Sequence, residues 1–378
     1  MTDSDYVVFG RPHFSEEEIG DVAAVLRGGW VGTGPKTKEF ERKFSQYIGT
    51  THAVAVGSCT AALHLAMTAA GIREGDEVIT TPLTFAATAN AIIHAGATPV
   101  FADVDPVTQN IDPDQVEEKI SARTRAILVV HLAGRPCNMD ALSRIAHRYG
   151  IMLFEDAAHA IEARYKGRKV GALADASCFS FYVTKNISTI EGGMLCTSHE
   201  VLANKAAILA LHGMTSDAWA RFSDSGYKHY DVVATGYKYN MTDVQATLGL
   251  GQLARIEPWL ERRRAIWQRY DEAFADLPCQ RPAEEEPDTV HARHLYCLQV
   301  EKRDEFLVKM HALGLGCGVH YRSLHVQPYY RKMFGHRPQD FPNAYRLGEH
   351  TVSIPMTQHL TDAQVDRVID GVRKVLRG

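Results

Sequence analysis

No stretch of this chain approaches the run of about 18 apolar residues that a membrane-spanning helix requires, so a transmembrane protein is not expected. Nor does one charge dominate. The 41 basic residues stand against 45 acidic ones, a formal net charge of -4, and such a surface has no broad attraction for a phosphate backbone. Nucleic acid is therefore not an expected partner. The like-charge runs are short, Glu284-Glu285-Glu286 between Pro282 and Pro287 and Arg262-Arg263-Arg264 within a helical pattern, and both read as solvated surface. The seven cysteines (Cys59, Cys137, Cys178, Cys196, Cys279, Cys297, Cys317) are odd in number and lack any CxxC pair. A disulfide framework or a zinc cage is thus not indicated, and they read as small core residues. A basic signal-peptide opening is missing too: Met1-Thr2-Asp3-Ser4-Asp5 is acidic, and the expected location is the cytoplasm. Internal repeats and low-complexity segments are absent.

What is present is an ordinary folded composition, 45% hydrophobic and 23% charged, on 378 residues, enough for two domains. From about residue 50 to 200, short β-branched runs alternate with helical stretches, the pattern of an α/β domain on a mostly parallel sheet. Seven strands are expected: His52-Val56, Glu77-Thr81, Pro99-Val104, Ala126-Leu132, Ile151-Glu155, Ala176-Phe181 and Met194-Thr197. Runs such as Ala126-Ile127-Leu128-Val129-Val130 suit strands covered on both faces. Helices are expected at Thr60-Ala70, Thr84-Ala95, Met139-Tyr149 and Val201-Leu211, and one long helix from Thr242 to about Phe274. Strand-like Leu295-Val300, helical Asp304-Leu313, strand-like Gly318-Tyr321 and helical Asp362-Leu376 then suggest a smaller α+β domain. The expected division is 1–245 for the large domain and 246–378 for the small one.

Three short segments carry chemistry. Asp156, in Phe154-Glu155-Asp156-Ala157-Ala158-His159, closes an apolar strand. A buried carboxylate must be protonated or face a cation, and a protonated pyridine nitrogen is such a cation. Alternatively Asp156 caps a following helix. Lys185, in Ser180-Phe181-Tyr182-Val183-Thr184-Lys185-Asn186 before the Glu191-Gly192-Gly193 turn, offers the one standard side chain that forms a reversible imine with an aldehyde; the alternative is a surface charge. Ser180 offers a hydroxyl to a phosphate or to the backbone. In Gly57-Ser58-Cys59-Thr60-Ala61-Ala62 a strand turns into a helix, where free N-H groups and the helix dipole hold anions. Thr60 and Ala61 are the expected phosphate contacts, against an ordinary capped βα turn. Phe85 lies flat on an aromatic ring or belongs to the core.

In this order the segments resemble the sugar aminotransferases of the DegT/DnrJ/EryC1/StrS family, pyridoxal 5'-phosphate (PLP) enzymes of fold type I. The resemblance runs from about Gly10 to Leu376, adding Gly29-Trp30-Val31-Gly32-Thr33-Gly34-Pro35, Gly236-Tyr237-Lys238-Tyr239-Asn240-Met241-Thr242-Asp243 and Val319-His320-Tyr321 to the three above. It implies an α/β fold with a seven-stranded sheet flanked by helices. It also implies that Lys185 carries PLP, which cycles with pyridoxamine 5'-phosphate, that Asp156 pairs with the ring nitrogen, and that His159 approaches the ring hydroxyl. Thr60, Ala61 and Ser180 match the phosphate contacts and Phe85 the stacking aromatic. Where many members carry Asn-x-Arg, this chain has Lys238-Tyr239-Asn240, so Lys238 or Asn240 would reach the phosphate of a neighbouring subunit in a homodimer. The segment 211–230, with Leu211-His212-Gly213-Met214-Thr215, Ala218-Trp219 and Tyr227-Lys228-His229-Tyr230, looks closest to members that aminate C-4 of nucleotide-linked keto sugars, with glutamate as donor. Trp30, Thr33, His320, Tyr321, Arg322 and His325 are the sugar-site candidates, His320 and His325 being structural or interface residues in the alternative; no third ligand at recognisable spacing makes them a metal pair. Two rival readings are a family dehydratase, which would carry histidine at position 185, and a non-catalytic binding protein on the same fold.

Overall fold

The computed structural model describes residues 6–215 and 229–377. Ala218, Trp219, Tyr227 and Lys228, on which part of the C-4 likeness rests, lie outside the described residues. The main sheet begins with β1 (His52–Val56), β2 (Glu77–Thr80), β3 (Thr98–Phe101), β4 (Thr124–Val130) and β5 (Met152–Asp156). Short β6 (Arg164–Tyr165) and β7 (Arg168–Lys169) follow, and β8 (Ala176–Ser180) and β9 (Gly193–Thr197) complete the sheet. Its order is β1-β9-β8-β5-β4-β2-β3, and only β9 runs against its neighbours, pairing antiparallel with both β1 and β8. The seven strands expected from β-branched runs are thus all present, each within two residues of the expected bounds at its start and three at its end.

Helix α1 (Glu16–Gly28) packs on the later helix Asp243–Leu253, and α2 (Pro35–Ile48), α3 (Cys59–Ala69), α4 (Ala86–His94), α5 (Pro113–Glu118), α6 (Met139–Tyr149) and α7 (Glu200–Ala210) cover this sheet. One face buries Leu65, Met67 and Leu202 over Val54 and Leu195. On the other, Phe40 and Phe44 of α2 pack on Phe179 and Phe181, and Leu142 and Ile145 of α6 on Ile127 and Val129. Covering both faces is what lets β2 and β9 be buried at every residue.

The expected single helix from Thr242 is in fact two, α8 (Asp243–Leu253) and α9 (Ile256–Ala273). Pro258 has no N-H to give the Ala254 carbonyl, and Arg255 leaves helical geometry at φ -111, ψ 3, so the ladder breaks there and restarts. After β10 (Thr289–Val290) come β11 (Tyr296–Gln299), α10 (Arg303–Ala312), α11 (Pro328–Phe334), α12 (Pro342–His350), β12 (Thr351–Ile354) and α13 (Asp362–Arg377). Strands β11 and β12 pair antiparallel, and the smaller core joins Trp267 and Tyr270 of α9 to Phe306, Met310, Val365 and Val368. Of the expected strand Gly318-Tyr321, only Gly318 pairs, with Ser353. Val7 belongs to this smaller core as well, bonded to Gly314 and Gly316.

Arg263 corrects the reading of Arg262-Arg263-Arg264 as solvated surface. It is fully buried on the inner face of α9, paired with the equally buried Glu162 and donating to Gln358 Oε1 at 3.0 Å. The outer two arginines keep to the surface side because successive helix positions are about 100° apart.

Candidate active site

Where β1 ends, Ser58 caps α3, its Oγ accepting from the Ala61 N-H at 3.1 Å. The Ala62 N-H goes to the Ser58 carbonyl. Among the described residues the N-H groups of Cys59 and Thr60 are left without a protein acceptor, at the positive end of an 11-residue helix. Ala61 is therefore corrected as a free donor: its N-H is spent inside the turn, and the free pair lies one residue earlier. Gly193 holds this turn in place. A Cβ there would sit 2.5 Å from the Cys59 nitrogen, so only glycine lets β9 approach so closely.

Asp156 lies at the carboxyl end of β5, where ligands collect in open α/β sheets. No helix follows it, which disposes of the capping alternative. Instead Oδ1 accepts from the Ala158 N-H at 3.2 Å and Oδ2 from Thr88 Oγ1 at 2.8 Å. Thr88 is held in turn by Thr84 at 2.8 Å. Burial raises the proton affinity of this carboxylate, and the two hydrogen bonds and the charge of Lys185 oppose it.

Lys185 follows β8 in a turn closed by its own N-H on the Tyr182 carbonyl. Burial pushes its ammonium down to about 8, while Cys59 and Asp156 pull the other way. A substantial fraction of its amine is neutral near pH 8, as imine formation requires. Lys185, Asp156, Thr60 and Ser180 all line one cavity of about 440 Å³.

His159 and Tyr321 form one wall. His159 Nδ1 accepts from the Ala133 N-H at 3.2 Å, which leaves the ring proton on Nε2 to be donated to the Tyr321 hydroxyl at 3.2 Å. Burial and the nearby Lys185 keep this imidazole neutral, well below its ordinary range. Phe85 is 60% exposed at the mouth, its ring 5.8 Å from that of Tyr321. His320 also lines the cavity, bonded to Ser353 at 2.8 Å and stacked on Phe9.

Other candidates lie elsewhere. Lys238 Nζ donates to Asn240 Oδ1 at 2.6 Å, Asn240 Nδ2 to Thr33 Oγ1 at 2.6 Å, and Trp30 Nε1 to the Thr33 carbonyl at 3.3 Å. These four make a separate cluster and do not line the cavity. His325 does not reach it either. It is fully buried against Phe341, because the turn before α11 points it into the apolar cluster under α12. Arg322 is at the surface facing Glu349. Sequence reasoning missed two residues that do line or support the site, His294 and Thr88. Both lie far along the chain from their partners, Thr88 68 residues from Asp156, and only the fact that each is a polar residue beside an apolar run marked them.

PLP fits this arrangement of donors: free N-H groups and the Thr60 and Ser180 hydroxyls for a phosphate, a depressed lysine for an aldehyde, and a buried carboxylate for a ring cation. Comparison with known proteins agrees. The profile of the DegT/DnrJ/EryC1/StrS aminotransferase family matches residues 12–373. The spore coat polysaccharide biosynthesis protein SpsC of Bacillus subtilis is 46% identical over 380 residues, covering 99% of this chain and 98% of that protein. A putative sugar aminotransferase of Streptococcus pneumoniae, Spr1654, solved in its PMP form, superposes with a TM-score of 0.93 at 35% identity over 98% of this chain and 99% of that one. Helicobacter pylori PseC, an aminotransferase of pseudoaminic acid biosynthesis, superposes with a TM-score of 0.90 at 27% identity over 99% and 100% of the two chains.

Proposed function

The chain belongs to the DegT/DnrJ/EryC1/StrS aminotransferase family and is a PLP-dependent sugar aminotransferase; from that premise we propose that it moves the amino group of L-glutamate onto C-4 of a nucleotide-linked 4-keto sugar. The observation that carries the transfer is the meeting of Lys185 and Asp156 in one cavity. Bound there, PLP supplies an aldehyde that takes up the amino group and a ring that accepts an electron pair.

The protein's own groups do the rest. With PLP bound, the Lys185 Nζ would be the group that moves a proton off the donor's α carbon, a task for which an amine pushed down to about 8 is suited. Asp156 would keep the ring nitrogen charged. Thr88 and the Ala158 N-H fix that carboxylate's direction. The Cys59 and Thr60 N-H groups and the Ser180 hydroxyl would hold its phosphate, Phe85 would cover its ring, and Tyr321, bonded to His159, would be available to the ring hydroxyl or the sugar.

Two features support a homodimer. The cluster of Lys238, Asn240, Thr33 and Trp30 lies off its own cavity, where it suits a partner's phosphate and sugar, lysine serving as a point charge. The rim residues Phe85, Tyr182 and Ile190 are exposed apolar surface that a second copy would cover. The names of SpsC and PseC, one from spore coat polysaccharide and one from pseudoaminic acid biosynthesis, support an amino sugar as the product.

The test is to supply the purified enzyme with glutamate and a panel of nucleotide 4-keto and 3-keto sugars, identifying products by mass and NMR. An amine at C-4 is expected. Product only at C-3 would overturn the regiochemistry, and no product with any keto sugar would overturn the substrate class.

A further inference from the structure

His294 lies in the wall of the main cavity, only 5% exposed, and one of its ring nitrogens has no partner among the described residues. Which nitrogen that is follows from its neighbours. Asn186 Nδ2 donates to Glu162 Oε2 at 2.8 Å and to the Ala292 carbonyl at 3.3 Å, so Asn186 Oδ1 is its acceptor end. That oxygen lies 2.9 Å from His294 Nδ1, which must therefore carry the ring proton. Nε2 keeps a lone pair to which no described residue donates, Lys185 included, yet it is not one of the unpartnered nitrogens sealed inside the protein. It therefore opens onto one of the two spaces that His294 lines. Of these the main cavity, about 440 Å³, has room for a substrate and the small crevice, about 20 Å³, does not. Arg263, fully buried, anchors Glu162 and with it the whole chain of contacts, so the ring is held in one orientation.

Burial first, and then the charges of Lys185, His320, Arg263 and His291, disfavour a second proton on this imidazole, so it presents a neutral acceptor. His159 has no such lone pair to offer, since its Nδ1 accepts from Ala133 and its Nε2 donates to Tyr321. An acceptor in the wall calls for a donor on the ligand. The amino acid's ammonium is given up to the cofactor aldehyde and its carboxylates are acceptors themselves, whereas a keto sugar has hydroxyls that it keeps throughout. His294 lines the same cavity as Lys185 and feels its charge, so the group it meets lies a few bonds from the carbon being aminated. We infer that His294 is a specificity-determining residue, its Nε2 accepting a hydrogen bond from the sugar hydroxyl next to the reacting carbonyl, at C-3 when the amine goes to C-4. A sugar without that hydroxyl leaves the nitrogen desolvated and unpaired, and is rejected for that reason.

This inference rests on the proposed keto-sugar substrate. Enzyme loaded with pyridoxamine 5'-phosphate is given the nucleotide 4-keto sugar or its 3-deoxy counterpart, and kcat/KM is measured for each. Wild type should prefer the hydroxylated sugar by roughly tenfold or more. His294→Leu should lose that preference, and His294→Gln, which keeps an acceptor at similar reach, should retain it. A merely structural role would slow both sugars alike and leave their ratio unchanged. Independently of turnover, the unreactive 4-hydroxy sugar nucleotide and its 3-deoxy form should show the same pattern in their dissociation constants by calorimetry. If His294→Leu fails to fold, His294→Asn, too short to reach, takes its place. A wild-type ratio near one, a ratio unchanged in His294→Leu or His294→Asn, or a preference lost equally in His294→Gln overturns the inference. Amination at C-3 alone would defeat the proposed regiochemistry, and the 2-deoxy and 4-deoxy forms of the 3-keto sugar then decide this inference by the same ratio. No amination of any keto sugar would overturn both.

Discussion

On the proposed reading Lys185 would owe its reactivity to where it is buried, and two predictions follow at the scale of single residues. Replacing it with alanine should lower transamination by roughly 10³-fold or more while pyridoxamine 5'-phosphate still binds, as equilibrium dialysis would show; normal turnover would refute its role. In the apoprotein its amine titrates near 8 instead of at an ordinary lysine's value. The rate of PLP capture, followed by absorbance, should therefore rise with pH and level off above about 8. The same depression has a sign for stability: the unfolded chain holds this proton up to about 10.4 and the folded one does not, so the group's penalty is present below 8 and is relieved as pH rises between the two values. At this scale the sequence was informative about types of residue. Lys185, Asp156, His159, Thr60, Ser180, Phe85, His320 and Tyr321 all line the cavity. His325 took its structural alternative, buried away from the cavity, and His294 was overlooked, because an imidazole next to an apolar run reads the same whether it faces a cavity or a core.

The elements place these residues, and the turn between β1 and α3 is where an element is most easily disturbed. Ser58→Ala removes the Oγ that holds the Ala61 N-H, and should cost about 1 kcal/mol in urea unfolding. Gly193→Ala is the sharper test. Its methyl would press on Ser58 and Cys59, so the free N-H pair must shift, and PLP affinity should fall at least tenfold while the fold, by circular dichroism, persists; unchanged affinity would mean that this turn does not hold the phosphate. The strands were legible because two-sided burial writes continuous apolar runs, as in β4. The break between α8 and α9 was not, since the apolar spacing runs through it and only the missing N-H of Pro258 marks the place. The tight packing of β9 on the α3 turn was equally hidden, for a glycine shows where a side chain is absent but not what comes close.

At the scale of the molecule, one buried ion pair ties the α9 helix to the loop beside the active site. Glu162 and Arg263 are each essentially unexposed, and removing one partner leaves a charge stranded. Glu162→Gln or Arg263→Met alone should thus destabilise the protein by roughly 3–5 kcal/mol in denaturant titration, whereas the double replacement by apolar residues should recover part of it. A second whole-molecule property is acid lability. His159, His291 and His294 are held neutral well below their ordinary range by burial, and His320, His325 and His359 are pushed down to about 4. Between about pH 6.5 and 4.5 the unfolded chain takes up these protons and the folded chain does not, so folding stability must fall as pH falls through that window, before most carboxylates titrate. A melting temperature constant from pH 7 to 4.5 would contradict it.

The order of the main sheet's strands along the chain and the class of sheet were determined by the sequence alone, and so was the choice of Lys185 and Asp156 as candidates, because periodicity and side-chain type are local properties that burial on two faces and imine chemistry impose directly. Which polar groups converge was decided only by the tertiary structure. Thr88 meets Asp156 across 68 residues, Asn186 meets His294 across 108, and Glu162 meets Arg263 across 101. Such pairs leave no period in the chain, since each is fixed by the crossing of elements that pack for other, apolar reasons.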